Sequence, residues 1–244
     1  MSGMAEDARS KLFVALDVPD VNHARQLVEA LGDSIAAYKI GLELLFGGGL
    51  EFAQGLKAAG RNVFLDMKLL DIANTVEKAA ANIAALGLDY LTVHATDRKT
   101  LDAAVKGRGT SKLKLLGVTV LTSLTKADLE EQGIAGASPA DLVVHRARLA
   151  HAAGFDGVIA SGQEAELVRA AVPSDFLIVT PGIRLPGGDA GDQARVMTPE
   201  AAVRAGATHL VVGRPITAAA EPRAVAEEIV RRIAIAKASD LECG

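Results

Sequence analysis

Aromatic side chains are scarce in this sequence. Six Phe, two Tyr and no Trp stand among 244 residues, so the core has to be built from Ala, Val, Leu and Ile, in a chain that is half hydrophobic. Cysteine is nearly absent as well. Cys243 is the only one, which excludes an intrachain disulfide and makes a reducing cytoplasm the expected compartment. An excess of positive charge is missing: 26 Lys and Arg are set against 30 Asp and Glu, a net charge of -4. That balance argues against a nucleic-acid-binding chain, which would carry a basic stripe, but leaves room for a local basic pocket around a phosphate. No apolar run approaches the roughly 18 residues of a membrane span. The first ten residues hold no apolar secretion segment and read as a flexible tail.

What is present is a repeating alternation. Short apolar runs at 11–18, 36–42, the start of 62–75, 90–95, 115–122, 157–161, 177–180 and 209–213 read as strands. Helical patterns fall between them, among them 21–31 after the Pro19-Asp20 turn, a helix to about 59 after Gly47-Gly48-Gly49, then 71–86, 138–153 and 222–238. The strands are continuously apolar rather than alternating, as expected of strands covered on both faces in a parallel sheet. Eight such units in about 250 residues predict an α/β fold, a single (β/α)8 TIM barrel occupying residues 1–244 as one domain.

Active sites of such barrels lie at the C-terminal ends of the strands. Polar residues collect at those ends here: Asp17, Lys39, Asp66, Lys68, His94, Thr122, Ser161 and Arg214. Asp66 and Lys68 are two apart, so on a strand they face the same side, and Asp71 follows where the Ala-rich helical run begins. Two readings are open. One is a structural ion pair with Asp71 capping the next helix; the other is an acid/base constellation at the barrel mouth. Charges recurring over the first three strands favour the second, because an unpaired buried charge costs several kcal/mol. His94 reads as a hydrogen-bonded wall group. His94, His145, His151 and His209 show no metal-site spacing, and Lys68 beside Asp66 already supplies positive charge, so a metal-free site is expected.

The late chain adds Thr180-Pro181-Gly182-Ile183-Arg184, then a Gly- and Asp-rich loop running to Gln193, and Val212-Gly213-Arg214-Pro215 at the end of the eighth strand. The loops after strands seven and eight commonly form the phosphate site of these barrels. Gly213 would let backbone approach an anion and Arg214 offers a bidentate fork. Alone the pair reads equally as a turn glycine and a surface arginine; the 184–193 loop, a candidate lid, strengthens the phosphate reading.

Together these residues resemble the orotidine 5'-phosphate decarboxylases of the bacterial type. The most specific element is an Asp-x-Lys-x-x-Asp-Ile-x-x-Thr pattern, here Asp66, Lys68, Asp71, Ile72 and Thr75. Val118 to Ser123, Thr180 to Arg184 and Gly191-Asp192-Gln193 also match, and the likeness runs from Ala15 to Pro215. Leu70 and Ala73 stand where His and Pro are common in that family. The resemblance implies a cofactor-free decarboxylase of orotidine 5'-monophosphate (OMP), forming UMP and CO2 in pyrimidine biosynthesis. It implies Lys39, Asp66, Lys68 and Asp71 as the charged catalytic network and Asp17 on a ribose hydroxyl. It places Thr122, with neighbouring Ser123, on the pyrimidine, and Arg184, Gln193, Gly213 and Arg214 on the phosphate end. It also implies a homodimer in which Asp71 and Thr75 reach into the partner's site. The alternatives are an Mg²⁺-dependent sugar-phosphate decarboxylase or aldolase on the same barrel, and a barrel that binds a phosphate ligand without catalysis.

Overall fold

A computed structural model of the chain describes residues 7–186 and 196–242. Eight strands close into a barrel in sequence order, every neighbouring pair parallel. They are β1 (Leu12–Ala15), β2 (Ala37–Ile40), β3 (Asn62–Leu69), β4 (Tyr90–His94), β5 (Lys114–Val118), β6 (Gly157–Ile159), β7 (Leu177–Thr180) and β8 (His209–Val212). The principal helices between them are α1 (Val21–Leu31), α2 (Leu50–Ala58), α3 (Ala73–Ala85), α4 (Arg98–Arg108), α5 (Lys126–Glu131), α6 (Pro139–Ala153), α7 (Ala165–Arg169), α8 (Pro199–Arg204), α9 (Arg214–Thr217) and α10 (Pro222–Glu242). This is the (β/α)8 architecture expected from the alternation.

Local chemistry sets the helix starts. Asp20 caps α1 by accepting the N–H groups of Asn22 and His23. Ser138 and Asp141 form a reciprocal capping box on α6, with Pro139 in the first turn. Asp71 does not cap α3: Ile72 occupies that position, and the Asp71 carboxylate accepts the Ile72 N–H at 2.6 Å.

Two apolar cores follow from the two faces of the strands. The larger lies between barrel and helices and is built mainly from Ala, Val, Leu and Ile, with Tyr38, Phe155 and Phe176 among them. The smaller fills the barrel itself and holds three of the scarce aromatics: Phe13 meets Phe64 edge-on at 5.3 Å and Tyr90 at 5.0 Å, and stacks on His209 at 5.5 Å. These rings close the barrel floor, so the open end is the C-terminal mouth.

Three expectations need correction. The tail expected over 1–10 does not extend through 7–10, which is helical, with Ala8 buried and Asp7 paired to Lys237. Most strands are shorter than the apolar runs: β1 ends at Ala15 and β5 at Val118, which leaves Asp17 and Thr122 on the connecting segments beyond. The helices α4, α5, α7, α8 and α9 are not among those named from the sequence; the longest of them, α4, is Lys- and Arg-rich and buries only Thr100, Leu101, Ala103 and Ala104.

Candidate active site

Inward-facing positions alternate along each strand, and the register sets them side by side. Ala15 pairs with Lys39, and Lys39 with Phe64, so Asp17, Lys39 and Asp66 rise into the same sector of the mouth. There the Lys39 ammonium lies 2.9 Å from Asp17 and 3.3 Å from Asp66, and the same Asp66 oxygen lies 2.9 Å from the Lys68 ammonium. The other Asp66 oxygen accepts the Thr92 hydroxyl at 2.8 Å. Four charges alternate in sign along one line, and its two central members, Lys39 and Asp66, are buried.

Burial works against the charge on Lys39, but Asp66 and Asp17 outweigh it and hold its pKa above the ordinary lysine value. Burial likewise raises the Asp66 pKa, yet Lys39, Lys68 and the hydrogen bonds from Lys68 and Thr92 bring it below the usual carboxylate value. Both groups are therefore charged at neutral pH.

The geometry of Lys68 is not that of a regular strand. Its φ is +50°, and among the described residues it is the only non-glycine with a positive φ. The pairing of β3 with β4 shifts between Leu65 and Leu69, a bulge that re-aims the side chain. A left-handed lysine costs on the order of 1–2 kcal/mol. Such strain concentrates at functional sites, and here it falls on the residue that the motif puts at the centre.

These charges border a cavity of about 540 Å³ at the barrel mouth. Its walls are apolar where Phe64, Val118, Val120, Ile159 and Val211 contribute, and polar at the rim. Asp17, Lys39, Asp66 and Lys68 lie in one part of its lining; Thr122, Arg184, Gly213 and Arg214 also contribute. Ser123 is exposed and does not line it. Arg184 is fixed by backbone: its N–H donates to Met197 O at 2.9 Å, and Met197 N–H donates to Gly182 O at 3.2 Å. Gln193, and most of the loop expected over 184–193, lie outside the described residues. Leu42, Glu43 and Thr217 also line the cavity and were not singled out from the sequence.

Two motif residues are not brought to this cavity by their own chain. Asp71 and Thr75 are exposed, and among the described residues the only ion pair of Lys68 is with Asp66. His94 is half-buried beside the site. Burial, Arg146 and Lys68 lower its pKa, so it is neutral at pH 7, in keeping with a wall group. Among the described residues no group of His, Cys, Asp and Glu is arranged to hold a metal ion.

Comparison with known proteins agrees with the fold. The family model described as Orotidine 5'-phosphate decarboxylase / HUMPS family matches residues 10–229. The crystal structure of orotidine 5'-phosphate decarboxylase from Lactobacillus acidophilus is similar at 35% identity and a TM-score of 0.81, covering 91% of this chain and 98% of that one. An uncharacterized conserved protein from Geobacillus kaustophilus is similar at 31% identity and 0.79, covering 91% and 99%. Orotidine 5'-phosphate decarboxylase from Pyrococcus horikoshii OT3 follows at 27% identity and 0.73, covering 91% and 98%.

Proposed function

The chain is a carboxy-lyase that belongs to the orotidine 5'-phosphate decarboxylase / HUMPS family, and we propose that it converts OMP to UMP and CO2 without a cofactor, with Lys68 as proton donor. The observation that carries this reading is the Asp17–Lys39–Asp66–Lys68 line of alternating charge bordering an otherwise apolar cavity.

Breaking the bond between C6 and the carboxylate leaves an electron pair in the plane of the pyrimidine, where the ring π-system cannot absorb it. An ammonium held beside C6 stabilises that pair electrostatically and then supplies the proton that replaces CO2. Lys68 is suited to both tasks. Its backbone is locked in a bulge, and Asp66 fixes its ammonium from one side. The surrounding Val and Ile side chains keep the local dielectric low, which strengthens each charge interaction at the reacting carbon. Lys39 holds Asp66 ionised and links it to Asp17, the residue suited to a ribose hydroxyl. In this reading Thr122 contacts the pyrimidine and Arg184, Gly213 and Arg214 hold the phosphate; all four line the cavity. Binding energy from that remote phosphate helps to organise the reacting end.

Lys39 also weighs against the magnesium-dependent alternative. A divalent ion in this sector would need Asp17 and Asp66, and both carboxylates are committed to the Lys39 ammonium. A barrel that binds without catalysis would have no use for a strained lysine.

The proposed protein is a homodimer in which Asp71 and Thr75 complete the partner's site. Supporting this, the segments carrying and flanking them expose large apolar side chains, with Ile72 72% and Leu70 55% accessible, and Phe46 is 84% accessible. The proposed setting is cytoplasmic pyrimidine synthesis; no helix among the described residues is long and apolar enough to cross a membrane.

The test is the ultraviolet absorbance change on mixing the protein with OMP in excess EDTA. Stoichiometric conversion to UMP is expected, and Lys68→Ala should slow it by at least about 10³-fold while still binding UMP. A folded wild-type protein that leaves OMP unchanged would overturn the reading.

A further inference from the structure

Thr92 carries a role that its sequence context hides. It is the central inward-facing residue of β4, fully buried, and absent from the cavity lining, so it cannot touch a ligand in the mouth. A buried threonine on a strand ordinarily reads as a β-former that valine could replace. Its hydroxyl, however, makes two bonds: it donates to Asp66 Oδ1 at 2.8 Å and accepts the Lys68 backbone N–H at 2.9 Å. A hydroxyl has one proton to give, so donation to the carboxylate leaves an oxygen lone pair to receive the amide. Both directions are fixed by the partners.

Each bond solves a separate problem. The β3–β4 register slips between Leu65 and Leu69, where Lys68 turns left-handed, and the side chain of Thr92 provides the acceptor for its N–H at that point. At the other end, the hydroxyl occupies Asp66 Oδ1 and leaves Oδ2 as the oxygen that Lys39 and Lys68 share. One hydroxyl thus sets the backbone of one charged residue and the rotation of the other.

We propose that Thr92 is a positioning residue for the decarboxylation, clamping the left-handed Lys68 backbone to the Asp66 carboxylate so that the two side chains keep one fixed geometry. The proposal rests on the activity assigned above. It predicts a loss confined to the chemical step, because nothing that binds ribose or phosphate contacts Thr92.

The test compares Thr92→Val, which keeps the shape and removes the hydroxyl, with Thr92→Ser, which keeps the hydroxyl. For each, kcat and KM for OMP, the Kd for UMP, and amide hydrogen exchange at Lys68 are measured. T92V is expected to lower kcat by about 100-fold, the loss that a misplacement near 1 Å can cause. Its UMP affinity should stay within about threefold of wild type, the pattern of an interaction lost from the transition state alone. Lys68 amide protection should fall in T92V, and T92S should restore most of both kcat and protection. A T92V enzyme of wild-type kcat would overturn the proposal, as would a T92S enzyme as slow as T92V, or parallel losses of kcat and UMP affinity. Wild type inert toward OMP would instead overturn the activity. The clamp would then be judged by Lys68 amide exchange alone, where unchanged protection in T92V sinks it. If T92V does not fold, T92A is read against T92S by the same criteria.

Discussion

Replacing Lys39 by methionine isolates the energetics on which the site depends. The side chain keeps its length and loses its ammonium. Of the two carboxylates left behind, Asp17 has half its side chain in solvent and rehydrates, so its share is small. Asp66 has an 11% accessible side chain and cannot rehydrate, but it keeps Lys68 at 2.9 Å and Thr92 at 2.8 Å. Orphaning a buried charge costs about 3–5 kcal/mol, and with one cation retained the lower end, about 3 kcal/mol at neutral pH, is expected. The pH dependence has a definite sign. Asp66 has a folded pKa below 3.8, so its contribution is present above that value and disappears as pH falls through the folded pKa. Lys39 has a folded pKa above 10.5, so its contribution is complete below 10.5 and disappears as pH rises through the folded value. The gap between wild type and K39M should therefore be widest between these limits and close at both ends. Urea unfolding at fixed protein concentration, at pH 7.5 and at several values below 4, reads it directly. The double variant K39M/D66N removes both buried charges and should be more stable than the sum of the single costs, by about 1–3 kcal/mol of coupling. Strict additivity, or a K39M protein as stable as wild type at pH 7.5, would refute the argument.

Two further outcomes follow. Burial, with Lys11, Lys114 and Lys237 near it, lowers the His209 pKa from 6.5 to about 3, so between those values the unfolded chain takes a proton that the native barrel floor refuses. Stability should fall on acidification by about 1 kcal/mol per pH unit across that window from this residue alone, and His209→Phe should remove that slope; a slope unchanged in the variant, measured by denaturant titration from pH 6 to 4, would count against it. Ile72→Glu puts charge on a side chain 72% accessible in the single chain. It should shift the protein from dimer to monomer in sedimentation velocity and abolish turnover with little change in the fold, whereas a wild type that is monomeric and active would exclude Asp71 and Thr75 from a shared site.

The parts of this molecule legible in the sequence are those that obey local rules. Continuous apolar runs gave the parallel strands, and charges ending those runs had to meet at one end of a closed barrel, because Asp17, Lys39 and Asp66 share one inward-facing side. What was hidden depends on pairings that no spacing encodes. Strict alternation puts Asp66 and Lys68 on one side for the simple reason of period two, yet the actual contact runs through a register slip and a left-handed lysine. Thr92 could not be distinguished from any β-branched strand residue until Asp66 and Lys68 were placed against it. Likewise Asp71 sits three residues from Lys68 in the motif but turns its carboxylate to its own helix start. A single chain therefore assembles only Asp17, Lys39, Asp66 and Lys68 of the charged set. In the proposed dimer Asp71 acts on the other subunit's lysine, and the exposed apolar side chains of Leu70 and Ile72 beside it are covered by that subunit.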